Sequence, residues 1–404
     1  MSLYGNGEGS TVRLWTALLI SLLGVGTVLA GEGPSSLEQA KRLASNSGKP
    51  ILLEFHRQSC PHCAESAQDA ESDPQMRQAL ETVVHLSLDA SAQAGRELSR
   101  EYNLGAYTPL FVLTNAGGDV IRRWAGYTGS ARFITELRRA MSDRTTIKER
   151  MATYQTNPTR QTALLLARHL TDMADYRGAV RFYRDAQRLG TVERRDYSFE
   201  IFENSANAAW NDALPFDSAI AAADLFLKSP KVRADRVRTM ALMLSNLARK
   251  NNFTDRIAKY LQAGIEASRG QDNPAFQKAL IDFRADSALY VAHDTSGAIG
   301  IKKQGMGSTW QDFPKQYFGF GSWCFQRKIN LEEAELWVRK ATNLSSDGPF
   351  KARHLNLLAD ICFARGKTKE AARIEQEAID NDPENERYRK QLKRFSESLQ
   401  PPTR

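Results

Sequence analysis

The stretch Cys60-Pro61-His62-Cys63, preceded by the apolar run Ile51–Phe55, decides the fold of the first part of this chain. The apolar run predicts a buried β-strand, and the four residues after a short loop open a predicted helix. Two cysteines with two residues between them at a helix start can form a disulfide, and the helix dipole favours the thiolate of the first one. This order of strand, loop and CxxC helix indicates dithiol redox chemistry.

The two cysteines have different predicted roles, with Cys60 as the nucleophile and Cys63 as its resolving partner. The alternatives are one half of a zinc site and a structural disulfide. Zinc needs more ligands, and the remaining cysteines, Cys324 and Cys362, lie in a predicted helical region without CxxC spacing. They are more typical of buried unpaired thiols. The sequence therefore predicts a redox disulfide at Cys60 and Cys63, no metal and no cofactor.

An acid, Glu54, interrupts the apolar strand six residues before Cys60. On a buried strand, its carboxylate would exchange a proton with Cys63 during the reaction. The alternative is an exposed carboxylate on an edge strand. Glu54 is therefore a candidate catalytic residue.

A second stretch that bears on the site is Thr108-Pro109, which comes directly before the predicted strand Leu110–Thr114. A proline is tolerated at a strand entry because it has no N–H to donate to the ladder. The turn residues 115–119 predict a hairpin into a second strand at 120–124. A final helix at 130–141 completes the predicted unit.

The segment 49–141 resembles the thioredoxin superfamily in the order of its predicted elements. After the CxxC helix come a strand at 83–88, a helix at about 92–102, the proline-led strand, its hairpin partner and the final helix. The resemblance implies a thioredoxin-like α/β fold. In that fold, Glu54 would occupy the position of the family's buried acid and Pro109 the position of its cis-proline. Pro109 and the backbone of Thr108 would then hold a substrate strand beside Cys60 by β-type pairing.

Two parts of the segment point to opposite directions of electron flow. Residues 72–80, followed by 86–89, resemble the C-terminal periplasmic domain of DsbD-type thiol reductases. The Pro-His pair between the cysteines is instead the pair found in DsbA-type oxidases. An imidazole at His62 would stabilise the Cys60 thiolate, and with it the reduced form of the couple, which makes the couple more oxidising. The direction therefore stays open.

From about residue 155 to 399 the sequence has a nearly continuous helical pattern, rich in Ala, Leu and charged residues. Small residues recur there at the spacing of the 34-residue tetratricopeptide pattern. Clear copies lie near Ala163, Phe318 and Leu355, and degenerate copies lie around Ala219, Ala258 and Ala298. The pattern predicts stacked helical hairpins with a concave groove for a protein partner, followed by a capping helix at 386–399. A generic helical-repeat array is the alternative.

Composition and the N-terminus set the remaining expectations. The chain has 404 residues and 42% hydrophobic content, enough for two or more cores, and its net charge of +8 comes without long basic runs. We therefore expect no nucleic acid partner. Arg13, the apolar stretch 14–30 and the small residues before Gly31 predict a cleaved signal peptide. The alternative is that residues 14–30 anchor the chain in a membrane.

These observations predict a signal peptide or anchor at 1–30, a thioredoxin-like domain at 36–142 and a TPR-like domain at 155–399. The predicted fold class is an α/β thioredoxin-like domain followed by an all-α helical-repeat solenoid. The predicted function is that of an exported, periplasmic or secreted, thiol:disulfide oxidoreductase acting on protein disulfides. The repeats would recognise a protein partner, and a membrane-bound redox partner is a further candidate. The competing hypothesis is a redox-sensing scaffold that assembles a cell-envelope complex.

Overall fold

The structure is a computed structural model that describes residues 33–57, 60–102, 108–190, 196–230, 232–306 and 313–399. The predicted signal peptide or anchor at 1–30 lies outside the described residues. None of the helices in these ranges combines the length and the apolar character needed to cross a bilayer.

The first part of the chain folds as a four-stranded sheet with helices on both faces. The strands are β1 (Ile51–His56), β2 (Val84–Asp89), β3 (Leu110–Thr114) and β4 (Val120–Ala125), in the spatial order β2-β1-β3-β4. The helices are α1 (Leu37–Ser47), α2 (Pro61–Ser72), α3 (Pro74–Leu80), α4 (Gln93–Glu101) and α5 (Ser130–Met141). Strand β1 pairs parallel with β2 and antiparallel with β3, and β3 pairs antiparallel with β4.

Strand β1 lies at the centre of this domain because both of its faces are apolar. Leu53 and Phe55 contribute to the core between the sheet and α1. Leu52 contributes to the core on the other face, with Phe111 of β3 and Phe133 of α5. Since successive strand residues point to opposite faces, Glu54 lies on the same face as Leu52. The acid is therefore placed on the side of the sheet that carries α5.

The predicted elements are present with small differences at their ends. Strand β3 and helix α5 have the predicted bounds, and the predicted hairpin is present. Its turn is held by Asn115, whose side chain accepts hydrogen bonds from the N–H groups of Gly117 and Asp119. Helix α3 was not predicted as a separate element. Asp73 ends α2 in extended backbone and caps α3 by accepting a hydrogen bond from the N–H of Gln75.

The second part of the chain is helical throughout the described residues. It begins with α6 (Ile147–Thr156) and continues as six helical hairpins. The hairpins are α7 (Arg160–Asp172) with α8 (Tyr176–Arg188), α9 (Ser198–Trp210) with α10 (Phe216–Leu227), α11 (Ala234–Asn251) with α12 (Ala258–Ser268), α13 (Pro274–Tyr290) with α14 (Thr295–Gln304), α15 (Pro314–Arg327) with α16 (Leu331–Asn343), and α17 (Pro349–Ala364) with α18 (Thr368–Asn381). Helix α19 (Glu386–Glu397) packs on the last hairpin at the position of the predicted capping helix.

Small residues allow the paired helices to approach closely. Ala219 and Ala298, in units that the sequence marked as degenerate, are fully buried. Ala258, around which the sequence placed another degenerate copy, is instead exposed at the start of α12. Gly264 makes the close contact instead, since a Cβ there would lie 2.8 Å from Cβ of Ala241 and 2.7 Å from the ring of Phe283. The register of this repeat therefore differs from the one that the sequence suggested.

The predicted fold class, a thioredoxin-like α/β domain followed by an all-α helical-repeat solenoid, is confirmed. One hydrophobic core runs from α6 to α13 and a second from α13 to α19. The domain boundaries at 142 and 155 stay a prediction. Helix α6 occupies most of that predicted connector, begins with a capping box formed by Thr146 and Glu149, and joins the array through Tyr154, which donates a hydrogen bond to Asp185 at 2.8 Å.

Candidate active site

The dithiol lies at the N-terminus of α2. Cys60 is the N-cap residue, Pro61 follows it in the first turn, and the Cys60 sulfur accepts a hydrogen bond from the N–H of Cys63 at 3.2 Å. The two cysteines form a disulfide with their Cα atoms 5.2 Å apart. The N–H of Cys63 and the positive end of the helix dipole therefore face the sulfur of Cys60, where they stabilise a thiolate when the disulfide is reduced.

The two sulfurs differ in their access to solvent. Cys60 is partly exposed, whereas Cys63 is buried with 6% of its surface accessible. A substrate sulfur can therefore reach Cys60 more readily than Cys63. This arrangement suits an attacking first cysteine and a resolving second one.

The structure brings Thr108 and Pro109 beside the dithiol. The carbonyl oxygen of Thr108 lies 3.3 Å from Cys60 Sγ, and the peptide bond between Thr108 and Pro109 is cis. Pro109 is buried, and β3 begins at the next residue. The backbone at the entry of β3 is therefore placed next to the sulfur that a substrate would approach.

Glu54 is buried on a central strand, with 8% of its surface accessible. The alternative of an exposed edge-strand carboxylate is therefore wrong. Both of its oxygens have partners: Ser66 donates a hydrogen bond to Oε1 at 3.0 Å, and His85 Nε2 lies 2.8 Å from Oε2. Ser66 follows Cys63 by three residues, and the two are the buried residues of α2. The carboxylate is thus linked to the same face of α2 as the resolving cysteine.

His85 is a site residue that the sequence analysis did not identify, because no motif or ligand spacing marks it in the chain. It lies on β2 with its side chain 26% exposed, while the carboxylate that it contacts is 10% exposed. His85 therefore connects a buried acid to solvent. A proton can pass between Glu54 and water along this contact without opening the domain.

The imidazole of His62 lies exposed in the first turn of α2. Its side chain is 64% exposed, and its Nδ1 lies 3.5 Å from a carboxylate oxygen of Glu65. Within the described ranges, no hydrogen bond joins His62 to Cys60. Any effect of His62 on the Cys60 thiolate therefore acts through charge near the helix start, not through a direct contact.

The two other cysteines lie far along the chain in the helical array. Cys324 and Cys362 are fully buried and unpaired. Burial raises the pKa of Cys324 to about 12 and that of Cys362 to about 11, so both stay protonated at neutral pH. Neither thiol has the exposure or the thiolate character of a reactive cysteine.

One group of potential metal ligands in the described residues consists of Glu335, Cys362 and Glu370. Burial disfavours the charge of Glu335, but hydrogen bonds from Lys367, Arg339 and Arg365 outweigh it and lower its pKa to about 2. Arg339 also pairs with Glu370 at 2.5 Å. Three cations already neutralise these carboxylates, so the group fits an ion-pair network and not a metal centre.

The comparisons with known proteins agree with the fold of the first domain. Residues 37–141 match the thioredoxin-like domain family. A thiol:disulfide interchange protein DsbD from Ralstonia nicotianae (strain ATCC BAA-1114 / GMI1000) is 28% identical over 109 residues, which are 26% of this chain and 18% of that protein. The chain therefore spans less than a fifth of the length of this curated relative.

Two solved structures resemble different parts of the chain. A thioredoxin from Thermus thermophilus is 30% identical, covers 26% of this chain and 85% of its own, and has a TM-score of 0.24. The tetratricopeptide protein YrrB, described as having an unusual peptide-binding site, is 14% identical, covers 63% of this chain and 100% of its own, and has a TM-score of 0.25.

Residues 37–141 are therefore a thioredoxin-like domain with similarity to DsbD and a CxxC pair at Cys60 and Cys63. These findings support a function of the thiol:disulfide oxidoreductase type for this domain.

Proposed function

We propose that the chain is an exported thiol:disulfide oxidoreductase that acts on protein disulfides and uses its helical array to recognise partners. One observation carries the proposal. A partly exposed Cys60 sulfur lies at a helix N-terminus, 3.3 Å from the carbonyl of Thr108, and its partner Cys63 is buried behind it. This geometry combines an activated sulfur, a backbone segment for substrate pairing and a resolving thiol.

In the reducing direction, the Cys60 thiolate attacks one sulfur of a substrate disulfide and releases the other as a thiolate. Cys63 then loses its proton and attacks the Cys60 sulfur, which releases the first substrate sulfur. The substrate gains two electrons, and the protein is left with its Cys60–Cys63 disulfide. In the oxidising direction, a substrate thiolate attacks that disulfide and the same bonds form and break in reverse.

Glu54 is the group that accepts the Cys63 proton in this mechanism. It lies buried under α2, and Ser66 and His85 hold its two oxygens, so its carboxylate stays in one orientation. His85 then passes the proton towards solvent. The backbone at Thr108 and Pro109 pairs with an extended substrate segment, which aligns the substrate disulfide with Cys60.

The direction of transfer depends on the potential of the couple relative to that of its partner. The helix N-terminus and a protonated His62 both stabilise the reduced form and make the couple more oxidising. The similarity to a thiol:disulfide interchange protein is compatible with either direction.

The proposed compartment is the periplasm or another oxidising space outside the cytoplasm. Its support is the predicted signal peptide and the similarity of residues 37–141 to a DsbD protein. Cell fractionation followed by N-terminal sequencing of the mature protein tests the export proposal. Recovery of the uncleaved chain from the cytoplasm contradicts it.

A redox-sensing scaffold is the second candidate, because the helical array from α6 to α19 makes up most of the described chain. In this case the array would assemble partners and the dithiol would only respond to the redox state. A scaffold needs no buried acid behind its disulfide. The contacts of Glu54 with Ser66 and His85 therefore favour the enzyme.

An insulin-reduction assay with dithiothreitol tests the enzymatic proposal on the full chain. We expect Cys60→Ser to abolish the reduction. The matched control is a Cys324→Ala/Cys362→Ala protein, which lacks the buried unreactive thiols and is expected to keep the activity. Activity that survives in Cys60→Ser, or that disappears in the control while its fold is intact, contradicts the proposal.

A further inference from the structure

A cavity of about 900 Å³ lies where the thioredoxin-like domain meets the helical array. Strand β4 and helix α5 form one wall, and α6 and α7 form the other. This volume is within the range of small-molecule sites, about 300–1,000 Å³. None of the residues proposed for the dithiol site lines the cavity, so its function is separate from the redox reaction.

The cavity walls carry a large excess of positive charge. Seven arginines line it, whereas the carboxylates that line it number three, namely Glu136, Asp143 and Asp172. The arginines come from both domains, and they are Arg122, Arg123, Arg132, Arg139, Arg150, Arg160 and Arg168. Two of these carboxylates, Glu136 and Asp143, pair with arginines of the wall.

One group of these positive charges lies around Glu136. Arg122 and Arg139 share this single carboxylate, at 2.9 Å and 3.0 Å. Burial lowers the pKa of Arg122, and the neighbouring charges of Arg139 and Arg168 lower it further, against the attraction of Glu136. Arg168 belongs to α7, so the cluster spans the two domains. Glu136 thus pairs with two guanidinium groups, and Arg168 adds a third positive charge near them.

Two of the arginines are available to a ligand. Arg132 of α5 and Arg168 of α7 are exposed, and neither has an ion pair with a carboxylate in the part of the chain that is described. Asp172 also lies near this cluster, and burial raises its pKa to about 6 against the pull of Arg123 and Arg122. Its negative charge is therefore lost in mildly acidic solution.

The cavity also has an apolar side. Trp124, Phe133 and Leu164 line it, and the ring of Trp124 stacks on the buried Phe111 with the ring centroids 5.5 Å apart. This contact holds the indole in place. A ligand that fills the site would therefore carry an apolar body as well as negative charge.

From these features we propose that the cavity between the domains binds a small organic anion, with an aromatic or aliphatic body and a phosphate or carboxylate group. The guanidinium groups of Arg168, Arg132 and Arg122 bind the anionic group, because planar guanidinium matches both oxyanions in a bidentate manner. The apolar body lies against Trp124 and Leu164. The ligand bridges the two domains, since its partners belong to both.

Calorimetric titration of the full chain tests the proposal with four probes. 1-Naphthyl phosphate and 1-naphthoate carry the body and an anionic group, and comparison of these two probes tells which anion is preferred. 1-Naphthol lacks the charge, and inorganic phosphate lacks the body. We expect saturable binding of at least one of the charged naphthyl probes, with naphthol and phosphate weaker by roughly tenfold or more. Absence of saturable binding at millimolar concentration, or equal binding of naphthol, overturns the proposal.

Substitutions then locate the bound probe. Arg168→Gln and Arg132→Gln change exposed side chains, so we expect both variants to fold and to bind the charged probe roughly tenfold more weakly. The matched control is Arg184→Gln, which changes an exposed arginine on α8 outside the cavity. Binding that is unchanged in both cavity variants, or that is reduced equally in the control, overturns the assignment. Insulin reduction is expected to be unaffected in all three.

Discussion

His85 Nε2 lies 2.8 Å from Glu54 Oε2, and this contact joins a partly exposed base to a buried acid behind the dithiol. The two side chains come from adjacent parallel strands. Ser66 holds the other oxygen of the carboxylate from α2, the helix that carries Cys63. The acid, the imidazole and the resolving cysteine are thus connected through three different elements.

The first prediction concerns this pair. Glu54→Gln keeps the shape of the side chain but cannot accept a proton, so we expect resolution of the mixed disulfide to slow by about 100-fold. His85→Ala leaves the carboxylate without its imidazole partner and is expected to slow the same step by roughly tenfold. Single-turnover kinetics as a function of pH measure both effects.

The control for this pair is His293→Ala, which removes an exposed histidine of the helical region. We expect its pH–rate profile to match that of the unmodified protein. A lower rate with an unaltered pH profile in Glu54→Gln would indicate that the acid only supports packing. That result contradicts the proton-transfer role.

The second prediction concerns His62, whose charge lies near the start of α2. His62→Ala should move the pH midpoint of Cys60 alkylation upward and make the couple more reducing. Because His62 is largely exposed and contacts Glu65, we expect the free energy of reduction to change by about 1 kcal/mol or less. This change corresponds to roughly 20 mV in the potential of a two-electron couple. Glu65→Gln removes a negative charge beside the imidazole and should shift both quantities in the opposite direction. If the alkylation midpoint of Cys60 is the same in both variants as in the unmodified protein, His62 has no role in tuning the thiolate.

The third prediction concerns stability in the last repeat, where Glu375 is fully buried and accepts a hydrogen bond from Asn356 at 2.8 Å. Burial raises its pKa to about 7 from the ordinary value of 4.5, despite that hydrogen bond. The folded protein therefore binds more protons than the unfolded chain between about pH 4.5 and 7. This group makes the fold less stable as the pH rises through that window, and the penalty is fully present above it.

Replacing the Glu375 carboxylate with a neutral amide removes this loss of stability at high pH. Glu375→Gln should raise the free energy of unfolding by roughly 1–3 kcal/mol at pH 8, and the gain should shrink as the pH falls towards 4.5. Thermal unfolding at a series of pH values measures it. The control is Glu377→Gln, which changes a partly exposed carboxylate on the same helix. A gain that is independent of pH, or that is equal in the control, contradicts the assignment.

Much of the fold could be predicted because its patterns are local. The bounds of β3 follow from an apolar run between a proline and a turn, and α5 has the bounds predicted for the final helix of the unit. Cys60 at the start of α2 was recognisable from the CxxC spacing. The buried position of Glu54 followed from its place within an apolar strand.

The features that could not be predicted depend on contacts between distant elements. His85 meets Glu54 only because β2 pairs with β1 in one particular register. A partial signal existed in the alternation of β2, where His85, Ser87 and Asp89 are polar between apolar neighbours. The arginine cavity was not predicted either, because its residues come from two domains and become a cluster only when those domains pack together.

The most direct test of the central claim is to trap the mixed disulfide. Cys63→Ser lacks the resolving thiol, so a disulfide substrate should remain covalently attached to the protein. We expect mass spectrometry of the digested adduct to place the substrate on Cys60, and Cys60→Ser to trap little substrate on the buried Cys63. Trapping on Cys63 as efficient as on Cys60, or attachment at Cys324 or Cys362, would contradict the account of Cys60 as the nucleophile.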